Sequence, residues 1–351
     1  METVNSRLRY GHFCDNYSRL AKAQLDTVIS SVKLQQLLSV RDCFDARKLI
    51  LTGSGIGFAV AQSLFGLFTH KSDIMFGVEL MEQSKFNYYA DPNKLGVEEP
   101  NTPLILFFAE TWDNQDLAQS LRVSQQLYAD TIVICASGKG SSGAKFLELS
   151  LKQDDLDFMG IAYLSMLCAG FALAVRLMQV RGLYSEYEVT RIRKMLESYF
   201  DQCQLCMPAI RNAAEDFAGR CSGKRLFEYI ADWDRAGSAN YLGILGARIL
   251  GLQYDLSDSE TWCHIDFWEE CRQDICTVLV TDTNQPSFSR VMETANTVRL
   301  LERPYLIISD EAGCHSFCAP VPNATRELPW MNIFGNFLPG IITFGYMEAT
   351  L

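Results

Sequence analysis

The sequence predicts an α/β protein built from two three-layer α/β/α sandwiches, each with a mainly parallel, flavodoxin-like sheet. Three observations carry this. The chain repeats itself: residues 48–64 (KLILTGSGIGFAVAQSL) and 225–245 (RLFEYIADWDRAGSANYLGIL) both read as strand, turn and helix. A second matching pair follows at 103–137 and 274–310, again strand, polar turn, helix and strand. The period far exceeds that of a solenoid and marks a duplicated domain. The strands are also apolar throughout, without polar alternation, as parallel strands covered on both faces require. Finally, strands alternate with helical stretches, which implies right-handed crossovers and layered packing.

Taken in order, residues 1–47 form an N-terminal helical segment, with Leu20, Leu25, Val28, Ile29 and Val32 on one stripe. Residues 48–183 form the first sheet domain. Its expected strands are Leu49–Thr52, Ile74–Val78, Leu104–Phe108 and Thr131–Ala136, with a helix over Gln115–Tyr128. Residues 184–220 are linking helices, dominated by the long amphipathic run Glu186–Phe217. Residues 221–351 form the second domain, with strands near 225–231, 252–256, 275–281 and 304–309 and a final apolar helix within Asn336–Leu351.

Composition sets limits. With 351 residues, about two domains are expected. Apolar residues make up 48% and charged ones 21%, an ordinary globular balance. The net charge of −11 argues against nucleic acid, which requires a basic footprint. The 12 cysteines are scattered, and METVNSRLRYG lacks an apolar signal core, so reduced thiols in a cytoplasm are expected. Cys203 and Cys206 make one CxxC, but a zinc site requires a second pair. Only Cys314, His315 and Cys318 are of the right type nearby, and no metal is expected. The uncharged run Phe158–Val175 is long enough to span a bilayer. Being single, rich in small residues and placed between two α/β halves, it is read as a buried helix at a domain or dimer interface.

The turns at the strand C-termini are where such sheets hold ligands. Gly53-Ser54-Gly55-Ile56-Gly57 suits either close ligand approach and anion binding at a helix N-terminus or simply a tight connection. Its spacing departs from the dinucleotide fingerprint. In Ala109–Asp116, Thr111 and Asn114 offer hydrogen bonds, although Asn114 is equally a helix N-cap, and Glu110 and Asp113 repel an anion. Ser137–Gly143 carries Lys139 and has the composition of a phosphate cradle without Walker spacing. His264 lies in a loop beside Glu260 and Asp266. It is either a proton shuttle or a histidine satisfied by a neighbouring carboxylate.

These features together resemble the tandem sugar isomerase (SIS) family, the group of the isomerase domain of glucosamine-6-phosphate synthase and of the fructosamine deglycases. The resemblance runs from about residue 30 to the end and rests on order, spacing and hydrophobic pattern. The family's Gly-x-Ser turn is matched by Gly53-Ser54-Gly55. Its serine-rich phosphate turn is matched by Ala109–Asp116, and its Leu-Arg-x-Ser by Leu121–Ser124. Ala231-Asp232-Trp233-Asp234-Arg235 stands for the Gly-rich turn of the second half. Thr261–His264 matches the Glu-x-x-His loop, so the resemblance makes His264 the ring-opening histidine.

The departures bear on chemistry. The phosphate turn lacks both serines and its glycine. Arg248 stands where isomerases carry the glutamate that moves the C1–C2 proton, and no carboxylate lies between Asp234 and Asp255. The family's tail, with its catalytic lysine, is placed after Asn336–Leu351, beyond the last residue of this sequence. The expectation is therefore a sugar-derivative site, phosphosugar first, with isomerase or deglycase chemistry at an altered centre. In that centre His264 opens the ring, Glu260 or Asp266 is the base, and Lys139 and Arg235 offset the acidic turn. The alternatives are a non-catalytic sugar sensor, or a protein acting on a non-phosphorylated amino sugar through Glu110 and Asp113. The expected ligand-binding set is Gly53, Ser54, Gly55, Glu110, Thr111, Asn114, Ser137, Lys139, Asp232, Asp234, Arg235 and Arg248. No cofactor, nucleic acid or membrane partner is expected, and the resemblance implies a homodimer or higher homo-oligomer.

Overall fold

The computed structural model describes residues 13–29, 32–72, 77–91, 103–112, 114–138, 144–149, 151, 159–268, 272–311 and 317–348. The chain divides into two compact units, residues 21–195 and residues 1–20 with 196–351. Each contains one five-stranded, all-parallel sheet.

In the first unit the strands are β1 (Lys48–Gly53), β2 (Gly77–Glu82), β3 (Pro103–Thr111), β4 (Asp130–Ser137) and β5 (Lys145–Glu148). Their spatial order is β2-β1-β3-β4-β5. Side chains alternate across the sheet. Ile105 and Phe107 enter one cluster with Phe86, Leu117, Val123 and Val133. That face is covered by α5 (Gln83–Tyr89) and α6 (Gln115–Gln126). Against the sheet also pack α4 (Ile56–Ser72) and α7 (Met159–Val180). The N-terminal helices of this chain are α1 (Tyr17–Ile29), α2 (Val32–Leu37) and α3 (Val40–Asp45). A capping box starts α3: Asp42 N–H donates to Ser39 Oγ at 3.2 Å, and Ser39 N–H to Asp42 Oδ2 at 2.8 Å.

Apart from Phe158, which lies outside the described residues, the uncharged run lies in α7, whose residues are nearly all buried inside the first unit. By length and composition alone it could cross a membrane, but it serves here as a core helix. Tyr163 hydroxyl meets Ser63 Oγ at 2.7 Å, and a Cβ at Gly170 would lie 2.1 Å from Leu64. A side chain there would require the end of Leu64 to shift.

The second unit repeats the plan with β6 (Leu226–Ala231), β7 (Gln253–Ser257), β8 (Ile275–Val280), β9 (Tyr305–Ser309) and β10 (Cys318–Pro320). The order β7-β6-β8-β9-β10 is the same 2-1-3-4-5 arrangement. Its helices are α8 (Glu186–Arg220, most of it in this unit), α9 (Arg235–Leu250), α10 (Ser259–His264), α11 (Phe288–Leu300) and α12 (Leu338–Glu348). The duplication reaches small details. Tyr128 after α6 and Glu302 after α11 both adopt left-handed backbone, with φ of 52° and 58°.

Three strands depart from expectation. The second strand is described from Gly77 and runs on to Glu82, past the expected end at Val78, because its pairing follows β1 from Lys48↔Gly77 to Gly53↔Glu82; residues 74–76 of the expected strand lie outside the described residues. The fifth strands, β5 and β10, were not anticipated. They are short edge strands of four and three residues, too brief for a periodic signal.

Candidate functional site

In a 2-1-3-4-5 sheet the topological switch lies between the first and third strands, and ligands bind beyond their C-terminal ends. Each unit has one such place.

In the first unit it lies between β1 and β3. The register pairs Gly53 with Phe108, and Thr111 with Ser137 across β3 and β4. The turns bearing Ser54, Glu110–Thr111 and Ser137 therefore stand side by side at one sheet end. Ser54, Gly55 and Thr111 are exposed, while Glu110 and Ser137 are half-buried. Gly53 is buried, and a Cβ there would meet Phe108 O at 2.7 Å. At Gly57 the same contact would be 2.0 Å. These two glycines let α4 approach β3, so the Gly-rich turn answers first to packing. Only Gly55 requires left-handed backbone, with φ of 53°.

Asn114 is the N-cap of α6, its Oδ1 accepting from Asp116 N–H at 2.8 Å. This satisfies a backbone donor that an anion would otherwise take. Trp112 packs edge-on against Phe146, ring centres 4.3 Å apart, and its Cβ lies under Gly138. Asp113 and Lys139 lie outside the described residues, as do Cys314 and His315.

In the second unit the switch lies between β6 and β8. Arg235, read from sequence as a cation available to ligand, is only 2% exposed. Its Nε donates to Asp282 Oδ2 at 2.6 Å, its Nη1 lies 2.5 Å from Asp234 Oδ1, and its Nη2 donates to Pro329 O at 3.0 Å. Burial works against the Arg235 charge, but Asp234 and Asp282 outweigh it and hold the pKa up. Asp234 is pushed up by burial, with Arg235 opposing. Asp232 accepts from Ser259 N–H at 2.7 Å and Ser259 Oγ at 2.9 Å, tying the β6 turn to α10. Gln285 Nε2 donates to Asp232 O at 3.0 Å. Thus Asp232, Asp234 and Arg235 are joined in one structural network. Asp282 and Gln285 were missed from sequence. The signal was present, since Thr281–Ser287 is the repeat partner of the Ala109–Asp116 turn.

His264 lies not in a loop but at the end of α10. Asp258 caps that helix, accepting from Glu260 N–H at 2.9 Å and Thr261 N–H at 2.7 Å. The helix places Glu260 and His264 at i and i+4, with His264 Nε2 and Glu260 Oε1 3.0 Å apart. Their side chains are 71% and 64% exposed. Arg290 Nη2 lies 3.0 Å from Glu260 Oε2. The hydrogen bond from His264, then the Arg290 charge, hold the Glu260 carboxyl below its usual range. Asp266 turns inward, buried, and accepts from Ser257. Arg248 is exposed on α9. Cys203 and Cys206 lie on α8, the first buried and the second half-buried.

A buried quartet holds the α10 segment to the sheet. Glu228 accepts from Trp262 Nε1 at 2.5 Å, Thr277 Oγ1 at 2.9 Å and Arg303 Nη1 at 2.9 Å. Arg303 Nη2 also donates to Asp266 O at 3.2 Å. Burial pushes the Glu228 pKa up to about 7, against the pull of Arg303, Thr277 and Trp262.

No family model matches the sequence, and no curated protein does. Solved structures do match in fold. The C-terminal domain of glucosamine-fructose-6-phosphate aminotransferase from Francisella tularensis superposes with TM-score 0.78 at 9% identity, covering 98% of this chain and 96% of that one. A Salmonella typhimurium LT2 protein described as sugar-binding gives 0.74 at 11%, covering 96% and 99%. Tagatose-6-phosphate ketose/aldose isomerase from Escherichia coli gives 0.67 at 13%, covering 95% and 92%. At these identities the likeness is one of fold, and it spans nearly the whole chain. With its two parallel sheets in the same strand order, the chain has the tandem α/β fold of the SIS sugar isomerases.

Proposed function

We propose that the chain binds a sugar derivative, phosphosugars being the leading class, at the switch-point end of the first sheet. The observation that carries this is the alignment of three hydroxyl-bearing turns, at Ser54, Thr111 and Ser137, on adjacent strand ends. Hydroxyls both donate and accept, which suits sugar hydroxyls and phosphate oxygens alike. The fold neighbours named for fructose-6-phosphate and tagatose-6-phosphate chemistry support the same ligand class.

For the chemistry we infer an aldose–ketose isomerase or deglycase with an altered centre, built on His264 and Glu260. Isomerisation requires a proton delivered to the ring oxygen, then one moved between C2 and C1. A histidine within 3.0 Å of a carboxylate can do both without a redox partner. The pair is exposed on its own unit, so it serves a ligand held by another subunit of a homodimer, as the family resemblance implies. Arg248 takes no part in proton transfer.

A second reading rests on a different observation. Asn114 occupies the α6 N-terminus and the half-buried Glu110 precedes it in the same turn, an arrangement that favours a non-phosphorylated or amino sugar and a sensing role. Thermal denaturation against matched sugars, amino sugars and their 6-phosphates separates the two, because a ligand of the native state raises Tm by mass action. Stabilisation by a 6-phosphate alone, with turnover lost in His264→Ala, supports the first reading. Stabilisation by unphosphorylated sugars alone transfers the proposal to the second. No response to any sugar overturns both.

A further inference from the structure

The first unit contains a pocket far along the chain from these turns. It is lined by Ile29 of α1, Leu34 of α2, Phe171 and Val175 of α7, and Val189 of α8. Its volume is about 230 Å³. That is below the roughly 300–1,000 Å³ of pockets for drug-sized ligands and fits something smaller. Arg176, Gln179, Thr190 and Arg193 are its polar members.

The two arginines differ. Arg193 pairs with Asp26, so its charge is met within the unit. Arg176 is the only charged residue of α7. Its Nε is buried and has no hydrogen-bond partner, and among the described residues it forms no ion pair. The residue as a whole is half-buried, and a buried donor without a partner is costly and is ordinarily matched. The pocket thus presents an apolar wall, an opening and a half-buried arginine that has no partner among the described residues.

We propose that this pocket binds a small amphipathic monoanion, a medium-chain carboxylate. Its head group pairs with Arg176 and its tail lies along Phe171, Val175 and Leu34. A bulky polar sugar does not fit such a wall, so the site is separate from the sugar site and stands without it.

The test uses the full chain with decanoate, and decanol as the neutral control, both below their micellar concentrations. Calorimetry is expected to give one saturable site for decanoate and none for decanol. Arg176→Met is expected to weaken decanoate by about 10- to 100-fold, the range for losing a hydrogen bond to a charged group. Without ligand, Arg176→Met is expected to melt no lower than the wild type, since it removes a buried donor that has no partner among the described residues. Val189→Trp, at the half-exposed rim, fills the pocket from outside and is expected to abolish binding even if Arg176→Met fails to fold. Equal response to decanol, decanoate binding retained in the variants, or no binding at all overturns the proposal. So does a change of sedimentation mass in Arg176→Met without a decanoate response, which would assign the charge to a second copy of the chain.

Discussion

The two switch points share a strand order and differ in what fills them. In the first unit the crevice is drawn tight by glycine backbone, with Gly53 and Gly57 against Phe108 O, and polar side chains are left at its rim. In the second unit the crevice is bridged by a buried arginine, Arg235, between Asp234 and Asp282. A duplicated scaffold thus keeps one crevice with accessible hydroxyls and uses the other for internal cohesion. A charged residue in a strand-end turn is not by itself a ligand group. Its burial and partners decide.

The largest expected effect comes from breaking the second crevice. Arg235→Met leaves Asp234 and Asp282 buried without their cation, and urea unfolding is expected to show a loss of about 3–5 kcal/mol. A loss below about 1 kcal/mol would mean the network is replaceable and the contrast overstated.

Next is the first crevice. Gly57→Ala places a methyl 2.0 Å from Phe108 O, which requires backbone movement and a cost of about 1–3 kcal/mol. If it is tolerated, the glycine belongs to ligand approach, and binding rather than folding would suffer.

A third expectation concerns pH. Glu228 titrates near 4.5 when unfolded and near 7 in the folded chain, because burial raises it. The folded state then holds more protons across that window, so Glu228 contributes stability that is lost as pH rises from about 4.5 to about 7. The urea midpoint should carry this slope in the wild type and lack it in Glu228→Gln. The same slope in both would assign it to another group.

Smaller still, Asn114→Ala removes an N-cap worth about 1 kcal/mol. It also frees the Asp116 N–H, so any phosphate affinity should rise rather than fall. His264→Ala, on an exposed side chain, is expected to change stability by no more than about 0.5 kcal/mol while removing turnover.

Much of the architecture was legible because apolar parallel strands and their repeat are written in long runs such as Leu104–Phe108 and Thr131–Ala136. The edge strands Lys145–Glu148 and Cys318–Pro320 were not, being too short to carry a period. The helix under His264 was missed although Asp258 and Thr261 are an N-cap signal, because six residues give little helical pattern. Arg235 was misread for a different reason. Its acidic neighbour in sequence, Asp234, was visible, but Asp282 lies forty-seven positions away and only the fold brings it within 2.6 Å. Trp262 and Arg303 converge on Glu228 by the same long-range logic, which no local pattern encodes.

On the proposed function, ligand is held by the first crevice and not the second. The most direct measurement is calorimetric titration of the best-stabilising sugar ligand into wild type, Thr111→Val with Ser137→Ala, and Thr283→Val from the corresponding turn of the second unit. Binding is expected to be lost or weakened by roughly tenfold or more in the first-crevice variant, the scale of unmaking hydrogen bonds to the ligand, and unchanged in the second. Equal affinity in the first-crevice variant, or loss confined to Thr283→Val, would contradict it.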